Sequence, residues 1–177
     1  MDPRDEQEFA AYFAAKRDSV RRTAYMLCGD WHRADDLAQT AFVALHRRWR
    51  KVRDREALDA YVRKTLVRAA IDESRRPWRR ERQTEDGSDL PEPSAPGSSA
   101  AADPLGDRVA TREDLLAGLR QVPSRQRAVL VLRYFDGLDV SGVAGVLGCS
   151  EGNVKSQTAR GLAALRKALG TEVDAHG

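Results

Sequence analysis

The sequence predicts an all-α fold, made of two small helical domains joined by a flexible acidic linker, with a helix–turn–helix in the second domain. Apolar residues recur every three or four positions, and no stretch alternates at a period of two for long enough to make a strand. A segment rich in proline, serine and acidic residues separates two such helical blocks. A chain of 177 residues has room for two domains only if both are very small.

The first block, residues 1–82, predicts three helices. The first runs over about 5–28 and ends at Gly29-Asp30, the second over about 33–49, and the third from about Leu58 to Arg76-Pro77, where proline bars continuation. Each helix is predicted from one apolar stripe. The stripes are Phe9, Phe13, Val20, Ala24 and Leu27 for the first helix, Leu37, Ala41, Leu45 and Trp49 for the second, and Leu58, Val62, Leu66, Ala69 and Ala70 for the third.

The segment 83–110 predicts a flexible linker, and residues 171–177 a short tail. Four of the seven prolines lie at 91, 93, 96 and 104, and no aromatic residue is present between 83 and 107. Such a composition cannot bury enough apolar surface to offset the entropy lost on ordering. A flexible tether of about 25 residues has an r.m.s. span of about 25–30 Å.

The second block, 111–170, predicts a helix over about 111–120 with Leu115, Leu116 and Leu119 on one side. After Val122-Pro123-Ser124, a helix over about 124–135 buries Val129, Leu130 and either Leu132 or Val131, and Asp136-Gly137 ends it.

Residues 139–169 have the order of a DNA-binding helix–turn–helix. Ala144 is small where two helices cross, Gly148 suits a left-handed turn, Ser150 can cap the next helix, and Val154 returns to pack against the first. The polar side chains that the second helix offers to base edges and phosphates are Glu151, Asn153, Lys155, Ser156, Gln157 and Arg160. The alternative is an ordinary corner between two helices of a bundle.

Charge is divided unevenly along the chain, although the net charge is only +3. Residues 1–82 carry 20 − 14 = +6, residues 83–110 carry 1 − 6 = −5, and residues 111–177 carry 9 − 7 = +2. The stretch 47–82 alone carries 14 − 6 = +8, with Trp49, Tyr61 and Trp78 interspersed. Cations that follow phosphates and rings that stack on unpaired bases suit a single-stranded nucleic acid. The alternatives are core packing for Trp49 and Tyr61 and a solvated helix face for the arginines.

Several classes of protein are not expected from this sequence. No apolar run approaches the roughly 18–20 residues that span a bilayer, and the N-terminus has no signal-peptide pattern, so a cytoplasmic protein without membrane insertion is expected. Cys28 and Cys149 form no CxxC pair, which predicts neither a zinc ribbon nor a disulfide framework, but leaves buried structural thiols or redox-sensitive ones. No metal site, no cofactor and no catalytic residues are expected, because no nucleophile, phosphate loop or ligand cluster is present.

The chain resembles bacterial RNA polymerase sigma factors of the sigma-70 family, extracytoplasmic-function (ECF) group, sigma-E-like subgroup. The resemblance covers about 8–82 and 111–169. It rests on Ala24-Tyr25-Met26-Leu27, Gly29-Asp30, Ala34-Asp35-Asp36-Leu37-Ala38-Gln39, Trp49-Arg50-Lys51-Val52 and Tyr61-Val62-Arg63-Lys64 in the first block, and on Val122-Pro123-Ser124-Arg125-Gln126-Arg127, Leu132-Arg133-Tyr134, Leu147-Gly148-Cys149-Ser150 and Gly152-Asn153-Val154-Lys155-Ser156 in the second.

The resemblance implies a sigma factor that gives core RNA polymerase its promoter recognition and DNA melting, and has no chemistry of its own. The first block would be a sigma-2-like domain and the second a sigma-4-like domain. The implied core-polymerase contacts are Asp35, Asp36, Gln39 and Phe42, on the clamp coiled coil of the largest subunit. The implied contacts to the −10 element are Arg53, Tyr61, Lys64, Thr65, Arg68, Asp72, Arg75 and Arg76. For Asp35 and Asp36 the alternative role is first-turn charge that complements the helix dipole.

In the second block the resemblance assigns the helix 151–166 to the −35 element, through Glu151, Asn153, Lys155, Ser156, Gln157 and Arg160. The family most often has Arg and Leu where Gln157 and Thr158 stand here, and Gln157 is suited to adenine. Further implied partners are the flap of the second-largest polymerase subunit, promoter DNA and, as a candidate, an anti-sigma factor. The acidic linker would either mimic RNA in the polymerase channel or act as a solvated spacer.

Two other classes of function compete with this interpretation. A stand-alone DNA-binding regulator would use only residues 139–169, and would leave the basic, aromatic first block unexplained. The other class is a protein-interaction module or a small helical enzyme, and no phosphate loop, metal triad or nucleophile elbow supports an enzyme.

Overall fold

The computed structural model describes residues 1–52, 54–75 and 111–170, and within them every regular element is a helix. The first block contains α1 (Pro3–Cys28), α2 (Trp31–Arg47), a 3₁₀ turn (Trp49–Lys51) and α3 (Arg55–Ser74). The second contains α4 (Arg112–Gln121), α5 (Ser124–Leu130) with a π-helical turn (Val131–Phe135), α6 (Val140–Leu147) and α7 (Glu151–Ala168). The predicted all-α architecture is confirmed. Among the described residues, no helix has both the length and the apolarity needed to cross a bilayer.

Some predictions fall on residues outside those that the structure describes. These are the acidic linker 83–110 with its two alternative roles, the tail 171–177, and two of the implied −10 contacts, Arg53 and Arg76. The domain limits at 82 and 111 therefore stay predictions.

The turn between α1 and α2 follows directly from two adjacent residues. Gly29 adopts φ 76° and its N–H donates to the Tyr25 carbonyl at 2.7 Å, a left-handed cap that favours glycine. The Asp30 carboxylate then accepts from the His32 N–H at 2.8 Å and starts α2. Because this cap lies at Asp30, α2 begins two residues earlier than predicted.

Trp49 lies beyond the end of α2, whereas the sequence predicts that it belongs to the apolar stripe of that helix. The helix ends at Arg47, and the 3₁₀ turn that follows directs the indole into the core, where it is only 8% exposed. Phe9 packs edge-on against it at 5.4 Å. The core-packing alternative for Trp49 is therefore the one that the structure supports.

The two blocks share one continuous core, whereas the sequence predicts a small core in each. Buried residues of α1, α2 and α3 form a single cluster with Val131, Leu132, Val143 and Val146 of the second block. Helix α3 packs against α1 and α2 and also against α5 and α6. Its buried residues allow both contacts, because they do not lie on a single stripe: Leu58, Val62, Leu66, Val67, Ala70 and Ile71.

The predicted helix 124–135 is present, but its hydrogen bonding changes at Val131. The Asp136 N–H donates to the Val131 carbonyl at 2.9 Å, five residues back, which closes the π turn. The sequence predicts that either Leu132 or Val131 is buried, and in the structure both are.

Candidate nucleic-acid and protein interfaces

Each predicted feature of the helix–turn–helix occupies its expected place. Gly148 has φ 67° and its N–H donates to the Ala144 carbonyl at 2.8 Å. The Ser150 hydroxyl accepts from the Asn153 N–H at 3.0 Å and caps α7. Val154 is completely buried, so it holds α7 against the rest of the block. The turn and the cap thus fix how α7 is presented.

The outer face of α7 is open to solvent. Of the predicted −35 contacts, Gln157 is half-buried and the other five are exposed: Glu151, Asn153, Lys155, Ser156 and Arg160. Thr158, which follows them, is turned inward and its hydroxyl donates to the Val154 carbonyl at 2.7 Å. This bond satisfies the buried hydroxyl within the helix. The structure therefore brings the predicted set together on one accessible helix.

The predicted −10 contacts on α3 are presented differently. Tyr61, Lys64 and Thr65 are half-buried, whereas Arg68, Asp72 and Arg75 are exposed. The second block packs against the same helix through α5 and α6. The exposed Arg68 reaches the turn of the helix–turn–helix, since a Cβ added to Gly148 would lie 3.6 Å from Nη2 of Arg68.

The predicted core-polymerase contacts divide into exposed and buried residues. Asp35, Asp36 and Gln39 are exposed on α2, and Asp35 forms an ion pair with Arg21 of α1. Phe42 is only 4% exposed, and its ring packs edge-on against Phe13 at 4.9 Å. It therefore does not share the surface of the three polar residues.

The alternative role for Asp35 and Asp36, first-turn complements of the helix dipole, is wrong. Because α2 begins at Trp31, its first turn contains no acidic residue. The side chain of Asp30, at the N-cap, supplies the negative group at that end. Neither exposed carboxylate is therefore needed at the start of α2.

An apolar groove of about 360 Å³ lies on the second block and was not predicted. It is rimmed by exposed aromatic rings, since Tyr134 is 59% and Phe135 49% exposed. Residues on α4, α5, the π turn and α7 line it together with Met26 of α1: Met26, Leu115, Leu119, Leu130, Val131, Tyr134, Phe135, Leu162 and Leu165. The segment 128–135, apolar except for Arg133, was the available signal, since it has too many large apolar residues for one buried stripe.

Arg127 is a second feature that the sequence did not predict, because its side chain joins the two blocks. Its guanidinium donates to the carbonyls of Leu119 at 2.7 Å, Arg120 at 3.0 Å and Val122 at 2.8 Å, and also to Leu27 at 2.7 Å. It thus lies between the carboxyl ends of α4 and α1, where a cation is favoured. Desolvation lowers the pKa of Arg127 to about 10, so it stays charged at neutral pH.

Asp136 joins the blocks on the other side of the shared core. Its carboxylate accepts from the Thr23 hydroxyl at 3.2 Å and from Nε of Arg63 at 3.4 Å. Burial raises the pKa of Asp136 above its ordinary value, and the Arg63 guanidinium and the Thr23 hydroxyl oppose that shift.

Two family models match the chain. The model described as sigma-70 region 2 matches residues 5–80, and the model described as sigma-70, region 4 matches residues 112–165. Together they cover both helical blocks.

Relatives of known function match over most of the chain. The RNA polymerase sigma-E factor of Streptomyces avermitilis is 34% identical, over 92% of this chain and 85% of its own length. The sigma-E factor of Streptomyces coelicolor is 33% identical, over 92% and 86%. The ECF RNA polymerase sigma factor SigM of Mycobacterium tuberculosis is 29% identical, over 94% and 79%.

The fold is also similar to a solved structure, that of the sigma factor RpoE of Bartonella quintana in complex with the anti-sigma factor NepR. The TM-score is 0.60, and the match covers 92% of this chain and 97% of that one at 17% identity.

Proposed function

The chain belongs to the sigma-70 family of RNA polymerase sigma factors, and we propose that four separate surfaces of it carry the contacts with promoter and polymerase. As a member of that family and of its ECF group, it is a non-enzymatic factor that confers promoter-specific transcription initiation on core RNA polymerase. We place its action in the cytoplasm, where that polymerase works.

The observation that carries the assignment of promoter contacts is the exposed, capped recognition helix α7. A helix held by a glycine turn and a serine cap can enter the major groove with its polar face foremost. Asn153 and Gln157 are suited to adenine, Arg160 and Lys155 to guanine or phosphate, and Glu151 to cytosine. We assign these residues, with Ser156, to the −35 element as duplex.

Helix α3 is assigned to the melted −10 element. Lys64, Arg68 and Arg75 supply cations along one helix, and Tyr61 supplies a ring on which an unpaired base can stack. Thr65 and Asp72 provide hydrogen-bonding groups between them. Arg53 and Arg76 complete the proposed set from outside the described residues.

The polymerase contacts are assigned to two surfaces of different chemistry. Asp35, Asp36 and Gln39 form an acidic, polar face on α2 that suits a basic partner such as the clamp coiled coil. The apolar groove suits an apolar helical segment, and we assign it to the flap of the second-largest subunit. Phe42 supports the first surface from within the core.

An anti-sigma factor is a further proposed partner. The similar RpoE structure is a complex with the anti-sigma factor NepR. The exposed α2 face and the apolar groove of this chain are surfaces that an inhibitor protein could cover.

Run-off transcription with purified core polymerase and a genomic promoter library tests the proposed function. The wild-type chain is expected to start transcripts at a limited set of sites. Asp36→Lys, which reverses charge on the α2 face, is expected to abolish them, whereas the control Asp18→Lys on the exposed side of α1 is expected to leave them unchanged. If the wild-type chain starts no transcript at any promoter of the library, the proposed function is wrong.

A further inference from the structure

We propose that Arg21 is a positioning residue, which fixes the orientation of the polymerase contact Asp35. Two stacked rings, those of Trp31 and Tyr25, hold Arg21 in turn. These four residues form a quartet on the surface, across the turn between α1 and α2. The inference rests on the proposed role of Asp35 in binding the polymerase, and it adds the residues that determine how its carboxylate is presented.

The quartet consists of two pairs of residues, each pair spaced four positions apart on one helix. Arg21 and Tyr25 lie one turn apart on α1. Trp31, the first residue of α2, lies one turn before Asp35. Because the chain reverses between the two helices, the two residues nearest the turn meet each other, and so do the two residues one helical turn farther away.

The residues nearest the turn provide a flat aromatic support. The rings of Tyr25 and Trp31 stack with centroids 3.9 Å apart and planes that differ by 9°. The Arg21 guanidinium lies over the same indole, 4.3 Å from its centroid. A tryptophan face attracts a cation, and the planar guanidinium can also stack on it. The indole therefore restricts the Arg21 side chain, and because Trp31 is 37% exposed it does so at the surface and outside the core.

The restricted guanidinium is joined to Asp35 by two hydrogen bonds. Nε donates to Oδ1 of the carboxylate, and Nη2 donates to Oδ2 at 3.5 Å. A pair with two parallel bonds fixes the plane of the carboxylate, which a single bond does not. An isolated ion pair at a surface contributes little, because two side chains lose freedom when they meet. Here the stack on Trp31 restricts one of them independently, so the pair has a defined geometry.

The carboxylate of Asp35 remains available to a second cation. An ionised carboxylate has about four lone-pair positions, and Arg21 occupies one on each oxygen. The Asp35 side chain is 53% exposed and that of Arg21 is 44% exposed. A basic side chain of the polymerase therefore meets a carboxylate that is oriented in the free chain. Since this group does not have to be ordered on binding, the cost of association is lower.

Arg21 also has an effect that opposes binding, because its own positive charge repels a basic partner. The two effects respond differently to salt. Repulsion between exposed charges is screened at high ionic strength, whereas the orientation of a carboxylate does not depend on long-range charge. Positioning therefore predicts that removal of Arg21 weakens polymerase binding and that the loss persists at high salt. Repulsion alone predicts that removal strengthens binding.

The first measurement is the affinity of the full chain for core polymerase, by competition with a fluorescein-labelled wild-type chain. Arg21→Ala is expected to bind about fivefold more weakly, the upper end for one exposed ion pair. The loss is expected to remain at about 0.5 M salt, where exposed charges are screened. The matched control is Arg17→Ala, which removes the same charge one turn earlier on α1, where Arg17 is 63% exposed and pairs with its neighbour Asp18. It is expected to leave the affinity unchanged.

Conservative variants separate the chemistry of the quartet from its bulk. Trp31→Ala removes the support of Arg21 and is expected to weaken binding to a similar degree, whereas Trp31→Phe retains a ring and is expected to lose less than about twofold. Arg21→Lys retains the charge without the fork and is expected to resemble Arg21→Ala. In an Asp35→Ala background, neither Arg21→Ala nor Trp31→Ala is expected to weaken binding further, because a positioning residue acts through the group that it positions.

The second measurement needs no polymerase. The ¹⁵N heteronuclear NOE of the arginine Nε–H groups reports side-chain order on the picosecond-to-nanosecond timescale in the free chain. In the wild-type chain we expect the Nε–H of Arg21 to be ordered and that of Arg17 to be mobile. Trp31→Ala and Asp35→Ala are each expected to make Arg21 as mobile as Arg17.

The positioning role is overturned if Arg21→Ala binds the polymerase as tightly as the wild-type chain or more tightly. It is also overturned if the loss persists in the Asp35→Ala background, or if Arg21 is as mobile as Arg17 in the wild-type chain. Failure of the proposed function has a different signature. In that case Arg21 is still ordered by Trp31 and Asp35 in the free chain, while Asp35→Ala and Asp36→Lys bind core polymerase as the wild-type chain does.

Discussion

The two proposed DNA-binding helices, α3 and α7, differ in how the fold presents them. Helix α7 has buried residues on one side only, and its polar residues face solvent. Helix α3 has buried residues directed to both blocks, and half of its described candidate contacts are half-buried. A favourable set of side chains is therefore not sufficient for a free binding surface, because a helix that is apolar on two sides attracts a second layer.

The largest expected effect distinguishes a buried core residue of the first block, Phe42, from an exposed contact residue, Asp36. Phe42→Ala removes a ring that packs against Phe13 and Tyr12 in a nearly closed site. We expect the free energy of unfolding to fall by about 3–5 kcal/mol, measured by denaturant titration. Asp36→Ala, on the same helix but exposed, is expected to leave it unchanged. If Phe42→Ala keeps its stability but no longer binds the polymerase, Phe42 contacts the polymerase directly and is not a core residue.

The next effect concerns the tie between the two blocks. Arg127→Met retains much of the aliphatic volume but leaves four carbonyls without their charged donor, and we expect a loss of about 3 kcal/mol in thermal unfolding. The neighbouring Arg125→Met is the control, with an expected change within about 0.5 kcal/mol. Equal effects at the two positions would show that the carbonyl contacts contribute little.

A third effect tests whether α7 acts independently of the covered helix. Asn153→Ala leaves the cap intact, because the cap uses the backbone N–H of that residue. We expect binding of the holoenzyme to its −35 duplex to weaken by about 1–3 kcal/mol, with specificity relaxed at one base pair. Lys167→Ala, near the end of the same helix, is the control. If both variants weaken binding uniformly across sequences, α7 contacts phosphates rather than bases.

The smallest effect compares the two thiols. Burial raises the pKa of Cys28, and its Sγ donates to the Asp30 carbonyl at 3.3 Å, whereas Cys149 is half-buried. At pH 8 a disulfide reagent is expected to modify Cys149 first, and Cys28 only as the chain opens or unfolds.

The same shift at Cys28 predicts the direction of a pH effect. A thiol pKa that is higher in the folded chain contributes stability below the unfolded value, and this stability is lost as the pH rises through the folded value. Cys28→Ala should therefore flatten the decline of stability at alkaline pH. A decline of the same slope in both proteins would assign the effect to other groups.

Most of the helix–turn–helix could be predicted from the sequence, because its determinants are local. Gly148 and Ser150 act through the backbone of residues within four positions, so their spacing is enough to place the turn and the cap. The predicted start of α2 is two residues late for a related reason, since Asp30 follows the end of α1 and also caps the next helix. The π turn at Val131 has no comparable local signature.

The sequence by itself determined the helices, the recognition helix and the exposed α2 face, since apolar period and capping residues act over a few positions. The family models and relatives agree with that interpretation over both blocks. Only the tertiary structure decided that Phe42 and Trp49 are core residues, that α3 lies beneath the second block, and that Arg127 and Asp136 join the two. Such contacts link residues about 70–110 positions apart, and no periodicity within one segment specifies which apolar face will meet which.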